Sequence, residues 1–351
     1  MLSLDSLLTE ASSFISAEFN LRIQQSKLKP YSSENWKKFC QANGFEESAG
    51  GLYVPQSYSA YVNAESPFLV PTVFHELYGH GLFCEQSQLG MKLVEITQKG
   101  DNGANFFYDE INPQIQPLGL CNQNIGNYEG FAVWMESLLS EEVGDKKIWD
   151  TKKEGMPQFY RSLYDNFQEA EQKLTRLGFM AQLGFPKHYS GQDIVNVLRH
   201  LYGSRQFANI DFVILYGSRK PHSDIDLCVV STNPSTQYFN GWLDIAELNR
   251  EDFQHRLDHL DIALTDAMFS GELIYGDANH FARLKQKVLD IPITDKVIVY
   301  NLTNSRTKEE YLPHYNQNTR LRDLCLSYTK SYLRNAEELR KGRKALTLRE
   351  L

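Results

Sequence analysis

Residues 210–231 read IDFVILYGSRKPHSDIDLCVVS, and this stretch decides the fold of the second half of the chain. Ile210 to Tyr216 is a run of β-branched and aromatic residues, which predicts a strand. It runs into Gly217-Ser218-Arg219, and Asp226 to Ser231 predicts the next strand. Working outward, Trp242 to Leu248 (WLDIAEL) predicts a third strand. A helix is expected from about Asn249 to Phe269, with Asn249 as its cap and Asp252 at the third position after it. Gly271 to Asp277 (GELIYGD) closes the unit, and Lys296 to Tyr300 predicts one more strand before a polar loop and a C-terminal helix.

The same stretch carries chemistry. Gly217 has no side chain, so backbone amides there can approach a triphosphate, and Ser218 can donate to it. Asp224 and Asp226 alternate along the chain, so on a strand they point to one side. Paired carboxylates on one face can hold Mg²⁺ with the triphosphate and lower the pKa of an attacking hydroxyl. A third carboxylate commonly completes such a site. Asp244, centred in the WLDIAEL run, has the strand context and is favoured; Asp261 is the rival, in a segment that reads as helix.

A second constellation lies upstream, at His75-Glu76-Leu77-Tyr78-Gly79-His80. Zinc-binding histidines usually stand four apart on a helix, whereas these stand five apart, about 140° around an ideal helix. Both reach one metal only if the helix holds an extra residue, a π-bulge, and Gly79 is the residue type that eases one. Catalytic zinc usually takes three protein ligands and a water. Glu129, in Tyr128-Glu129-Gly130-Phe131-Ala132, is the best third ligand, at the start of a helix expected over Glu129 to Glu142. Gly130 is expected to leave room for a close helix approach. Glu136, seven residues on, is expected as an outer partner or as the ligand itself. Glu76 is then the general base.

Two resemblances attach to these residues. The Gly-Ser and Asp-x-Asp pattern, from about Ile210 to Asp277, resembles the minimal nucleotidyltransferases of the DNA polymerase β superfamily. That implies transfer of a nucleoside monophosphate from an NTP, ATP first among them, to a hydroxyl. Catalytic Asp224, Asp226 and Asp244 would be joined by nucleotide-binding Gly217, Ser218 and Arg219, with Mg²⁺ on Asp224 and Asp226. HELYGH followed by EGFAVWMES resembles the gluzincin motifs of the dipeptidyl peptidase III and tyrosine carboxypeptidase families. That implies zinc held by His75, His80 and Glu129, with Glu76 catalytic and a protein or peptide as substrate.

The expected class is α+β and multidomain. A mainly helical zincin-like domain spans 1–205, a nucleotidyltransferase domain with a small mixed sheet spans 206–290, and a mostly helical extension spans 291–351. Residues 4–43 and 157–206 read as helical, Leu52 to Val62 as extended, and 99–127 as loop. The expected function is a bifunctional nucleotidyltransferase and zinc peptidase. The alternative is a regulatory or antitoxin-type binding protein, with a protein partner and one or both sites inert.

Composition bounds the partners. The chain has 351 residues and a net charge of −8, against broad nucleic-acid coating, although an RNA end stays open as acceptor. Five scattered cysteines without a Cys-x-x-Cys pair predict neither a disulfide framework nor a thiolate metal site. No stretch of about eighteen uninterrupted apolar residues occurs, and the N-terminus lacks the features of a signal peptide, so cytoplasm is the expected location and no membrane contact is expected.

Overall fold

The structure, a computed structural model, describes residues 3–101, 103–108, 120–315 and 319–351. It is an α+β, multidomain arrangement, and the described chain divides into two compact units between His188 and Tyr189. Part of the stretch expected as loop, residues 102 and 109–119, lies outside the described residues.

The first unit begins with α1 (Leu4–Phe19), capped by Ser3 and burying Leu7, Ala11, Ile15 and Phe19, one face at a spacing of four. Next come β1 (Lys27–Tyr31), α2 (Ser33–Asn43), β2 (Gly51–Val54) and β3 (Ser59–Asn63). Residues 4–43 are therefore not all helical. Lys27 to Tyr31 pairs in parallel with β3, a long-range contact that local helical spacing does not register. The sheet order is β1-β3-β2, with β2 antiparallel to β3. Then follow α3 (Leu69–Val73), a π-helix (Phe74–His80), α4 (Gly81–Gln86), α5 (Gln88–Gln98) and α6 (Ala104–Tyr108). Completing the unit are α7 (Asn124–Glu142), α8 (Lys146–Glu154), α9 (Gln158–Lys173) and α10 (Arg176–Gln182). Helix α7 starts five residues before Glu129, so that residue sits in its second turn rather than at its start. It is buried on nearly every side, as a central helix must be.

The second unit opens with α11 (Gly191–Phe207), started by a Ser190–Asp193 capping box. The strands are β4 (Ile210–Tyr216), β5 (Ile225–Ser231), β6 (Thr236–Phe239), β7 (Leu243–Asn249) and, after α12 (Arg250–Asp258) and α13 (Ile262–Ser270), β8 (Glu272–Tyr275). Their order is β6-β7-β5-β4-β8, a mixed sheet in which only β5 and β7 run parallel. The helix expected over 249–269 is two helices. Leu260 takes a positive φ of 48°, and Asp261 restarts the chain as the cap of α13. Helices α14 (Ala278–Asp290), α15 (Asp295–Tyr311) and α16 (Thr319–Arg340) finish the unit. Lys296 to Tyr300 is thus helix, not strand: within α15 it buries Val297 against the core, and buried Asn301 and Ser305 follow one and two turns later on the same face. One sheet face, through Phe212, Ile214, Cys228, Val230 and Leu248, packs with Phe253, Leu257, Leu264 and Met268 of α12 and α13. Among the described residues no helix is long and apolar enough to cross a membrane, and all five cysteines are free thiols.

Candidate functional site

In the first unit the π-helix supplies the extra residue that the five-residue spacing demands. His75 Nε2 and His80 Nε2 each stand 3.7 Å from Oε2 of Glu129, and the two imidazole rings meet edge to face at 4.7 Å. Ligands about 2.1 Å from one zinc at tetrahedral angles stand about 3.4 Å apart, so the three groups suit a single cation. His75, His80 and Glu129 are the one such trio of potential ligands among the described residues, their ligand atoms all within 4.8 Å of one another.

The close approach that makes this possible is at Gly79. A Cβ there would fall 2.6 Å from Ala132 Cα and 2.8 Å from Ala132 Cβ, so the π-helix lies directly on the backbone of α7. Gly130, expected to serve that purpose, instead receives the Phe167 ring of α9, which a Cβ would meet at 2.2 Å. Glu76 is buried, and β2 crosses it at Gly51.

Polar groups around the trio sort their protons. Glu136 Oε2 accepts from His75 Nδ1 at 3.0 Å, and its other oxygen takes the ammonium of Lys152 from α8. Burial pulls the His75 pKa down, but its bonds to Glu129 and Glu136 outweigh this and leave it at about 10 in the metal-free site. His80 Nδ1 is buried without a hydrogen-bond partner, and burial, opposed by Glu129 and aided by His75, takes its pKa to about 3. Its ring stacks on Tyr128 at 3.9 Å. Burial also raises Glu76 to about 7, against the pull of His75. Burial opposes ionisation of Glu129 too, but His80, His75 and the Tyr160 hydroxyl hold its carboxyl below the usual range. Lys152 and Tyr160 reach the site from α8 and α9, with no fixed spacing from the motif. Sequence reading missed both, and no local signal marks them.

In the second unit Asp226 and Asp244 are register partners on the parallel strands β5 and β7, which puts their side chains on one face. With Asp224 they line a cavity of about 930 Å³ walled elsewhere by Tyr216, Arg256, Lys308 and Tyr328. Burial and the neighbouring Asp244 and Asp226 push Tyr328 up to about 12. Gly217 has a φ of +74°, and a Cβ there would fall 2.0 Å from Asp226 Oδ2, so the carboxylate occupies the space a side chain would need. Ser218 is held by Ser223, whose hydroxyl donates to its carbonyl at 3.1 Å. Arg219 turns to Glu272, Nη1 to Oε2 2.9 Å. Asp244 accepts from the Gln237 amide. Asp261 is 1% exposed and fully engaged: Ala263 and Leu264 amides donate to Oδ1, and Tyr300 and Tyr332 hydroxyls complete the set. It is a helix cap that locks α13 to α15 and α16, which leaves Asp244 as the carboxylate beside Asp226. These carboxylates do not gather as tightly as the histidine trio. Magnesium tolerates that, because one or two carboxylates plus substrate phosphates and waters commonly suffice.

No protein-family model matches the chain, and no curated protein matches it. Among solved structures it is similar to a nucleotidyltransferase-like protein from Exiguobacterium sibiricum 255-15, with 12% identity and a TM-score of 0.26, over 43% of this chain and 59% of that one. A likeness at that level bears on neither fold nor activity.

Proposed function

We propose that the first unit is a zinc-dependent peptidase and that the chain is bifunctional, the second unit transferring a nucleoside monophosphate from an NTP to a hydroxyl. The observation that carries the first part is the convergence of His75, His80 and Glu129 across the Gly79–Ala132 contact. The donor set, two imidazoles and a carboxylate, is one that zinc takes in hydrolases. Zinc bound there would supply a polarised carbonyl and a water acidic enough to react near neutral pH.

The remaining work falls to the chain. Glu76 follows His75 directly and is shielded from solvent, so its carboxylate takes the proton of the attacking water and returns it to the leaving amine. Tyr160 stands beside Glu129, Glu76 and His75, and its hydroxyl, bonded to Glu129 here, would serve a developing oxyanion by exchanging that bond. Strand β2 is an edge strand whose Gly51 lies on Glu76, and an extended peptide pairing with it would bring a carbonyl to the base. Purified protein should carry about one zinc per chain, and His80→Ala should lose it. Glu76→Gln should keep the zinc and lose peptide hydrolysis; cleavage at the wild-type rate would remove the proposed base.

The second reading rests on the register pairing of Asp226 with Asp244 beneath Gly217. With Mg²⁺ and labelled ATP, label should pass to a hydroxyl acceptor, an RNA end among those tried. Asp226→Ala should abolish transfer. Absence of transfer in the wild type, with Asp224→Ala indistinguishable from it, removes this half and leaves a binding role for that unit.

A further inference from the structure

We propose that Lys152 is a positioning residue of the His75–His80–Glu129 centre: held on Glu136, it fixes the carboxylate that orients His75. This rests on the metal-site reading above. The geometry is a chain of single contacts. The Lys152 ammonium sits on Glu136 Oε1, Glu136 Oε2 accepts from His75 Nδ1 at 3.0 Å, and His75 Nε2 faces Glu129 at 3.7 Å. Each oxygen of Glu136 therefore has one partner, and the residue is only 1% exposed, so water does not compete for either. A proton held on Nδ1 leaves the Nε2 lone pair facing the point shared with His80 and Glu129, the tautomer a metal ligand needs.

Lys152 is delivered by packing rather than by the motif. Three residues earlier on α8, Trp149 is buried with Val133 of α7 and Met156, which fixes the helix face that carries the lysine. The charges point the same way. Glu76, Glu129 and Glu136 bring three acids into one largely buried site, and Lys152 sets its ammonium against Glu136. Without the ammonium, Glu136 would keep a buried oxygen unbonded beside two other acids, an arrangement that is costly away from water.

The test measures zinc affinity of the full chain by competition with a chromogenic chelator near neutral pH, so it does not depend on activity. Loss of an outer partner of a metal-binding histidine typically weakens metal binding by about 10–100-fold, and Lys152→Met is expected to fall in that range. Lys152→Arg keeps the charge and should stay within about threefold of wild type. In a Glu136→Gln background, Lys152→Met should cost nothing further, because the two residues act in series. If the methionine variant does not fold, Lys152→Gln takes its place. Wild-type affinity in Lys152→Met, or an equal loss with and without Glu136, overturns the proposal while leaving the metal site standing. Zinc binding that depends on Lys152 in a protein that cleaves no peptide overturns the peptidase reading and leaves this one intact. A wild-type chain that binds no zinc overturns both.

Discussion

Replacing Gly79 by alanine should pry the π-helix off α7 and open the metal site with it. The new methyl would lie 2.6 Å from Ala132 Cα, 2.8 Å from its Cβ and 3.2 Å from its carbonyl oxygen. Ordinary carbon–carbon contact is about 3.5–4.0 Å, and the obstructing atoms are largely backbone, so the helices must part by about 1 Å. Overpacking of this kind costs about 1–3 kcal/mol, and alanine returns about 1 kcal/mol of helix propensity over glycine. The net loss should be about 0–2 kcal/mol, a fall in Tm of up to about 8 °C for a unit of this size. The effect on the site should be larger than the effect on stability. Both histidines lie on one side of the contact and Glu129 on the other, so the separation acts directly on the two 3.7 Å gaps. Zinc affinity should drop at least about tenfold. Chelator competition and thermal melts of metal-free protein read the two effects separately. Gly155→Ala is the control, because the nearest atom to its Cβ is the Lys152 carbonyl oxygen at an ordinary 3.7 Å. A Gly79→Ala protein that melts and binds zinc as the wild type does would refute the reasoning.

Metal-free protein should lose stability as pH rises above about 6.5. His75 is raised from its ordinary 6.5 to about 10, so its contribution is complete below 6.5 and is lost as pH climbs through 10. Melts in chelator should show that slope, and His75→Asn should flatten it; an unchanged slope would rule the cause out. Asp261→Ala should cost about 2–4 kcal/mol in denaturant unfolding, because two tyrosine hydroxyls and two amides lose their acceptor. Asp244→Ala should leave stability near wild type and remove nucleotide transfer, and the reverse pattern would restore Asp261 as the third carboxylate. Gly217→Ala must hold an alanine at a φ of +74° with its Cβ on the Asp226 carboxylate. It should cost about 1–2 kcal/mol from the backbone alone and weaken Mg²⁺-dependent ATP binding, as isothermal titration would measure; binding at wild-type strength would separate Gly217 from the site.

Much of the local structure was legible because it is written in neighbouring residues. The β-formers of Ile210 to Tyr216 and Asp226 to Ser231 became β4 and β5, and Asn249 caps α12 through the Asp252 amide as its position suggested. Lys27 to Tyr31 and Lys296 to Tyr300 were misread for one reason. A short run of five residues takes strand or helix according to what it packs on, and those partners, β3 and the core behind α15, are remote in sequence.

The sites divide along the same line. Two histidines five residues apart already determine that their helix must be irregular if they are to share a metal, since 3.6 residues per turn leaves no alternative. Alternation along a strand suggested that Asp224 and Asp226 point one way, but β5 begins at Ile225, so the pleat covers Asp226 alone and Asp224 lines the same cavity from just before the strand. Which carboxylate stands beside them was decided only by the sheet register that sets Asp244 against Asp226 and by the tyrosines that consume Asp261. That Glu129 meets both histidines, that Gly79 rather than Gly130 admits the neighbouring helix, and that Lys152 reaches Glu136 were decided only in three dimensions. Those residues come from three separate helical segments, and packing, unlike periodicity, has no signature along the chain.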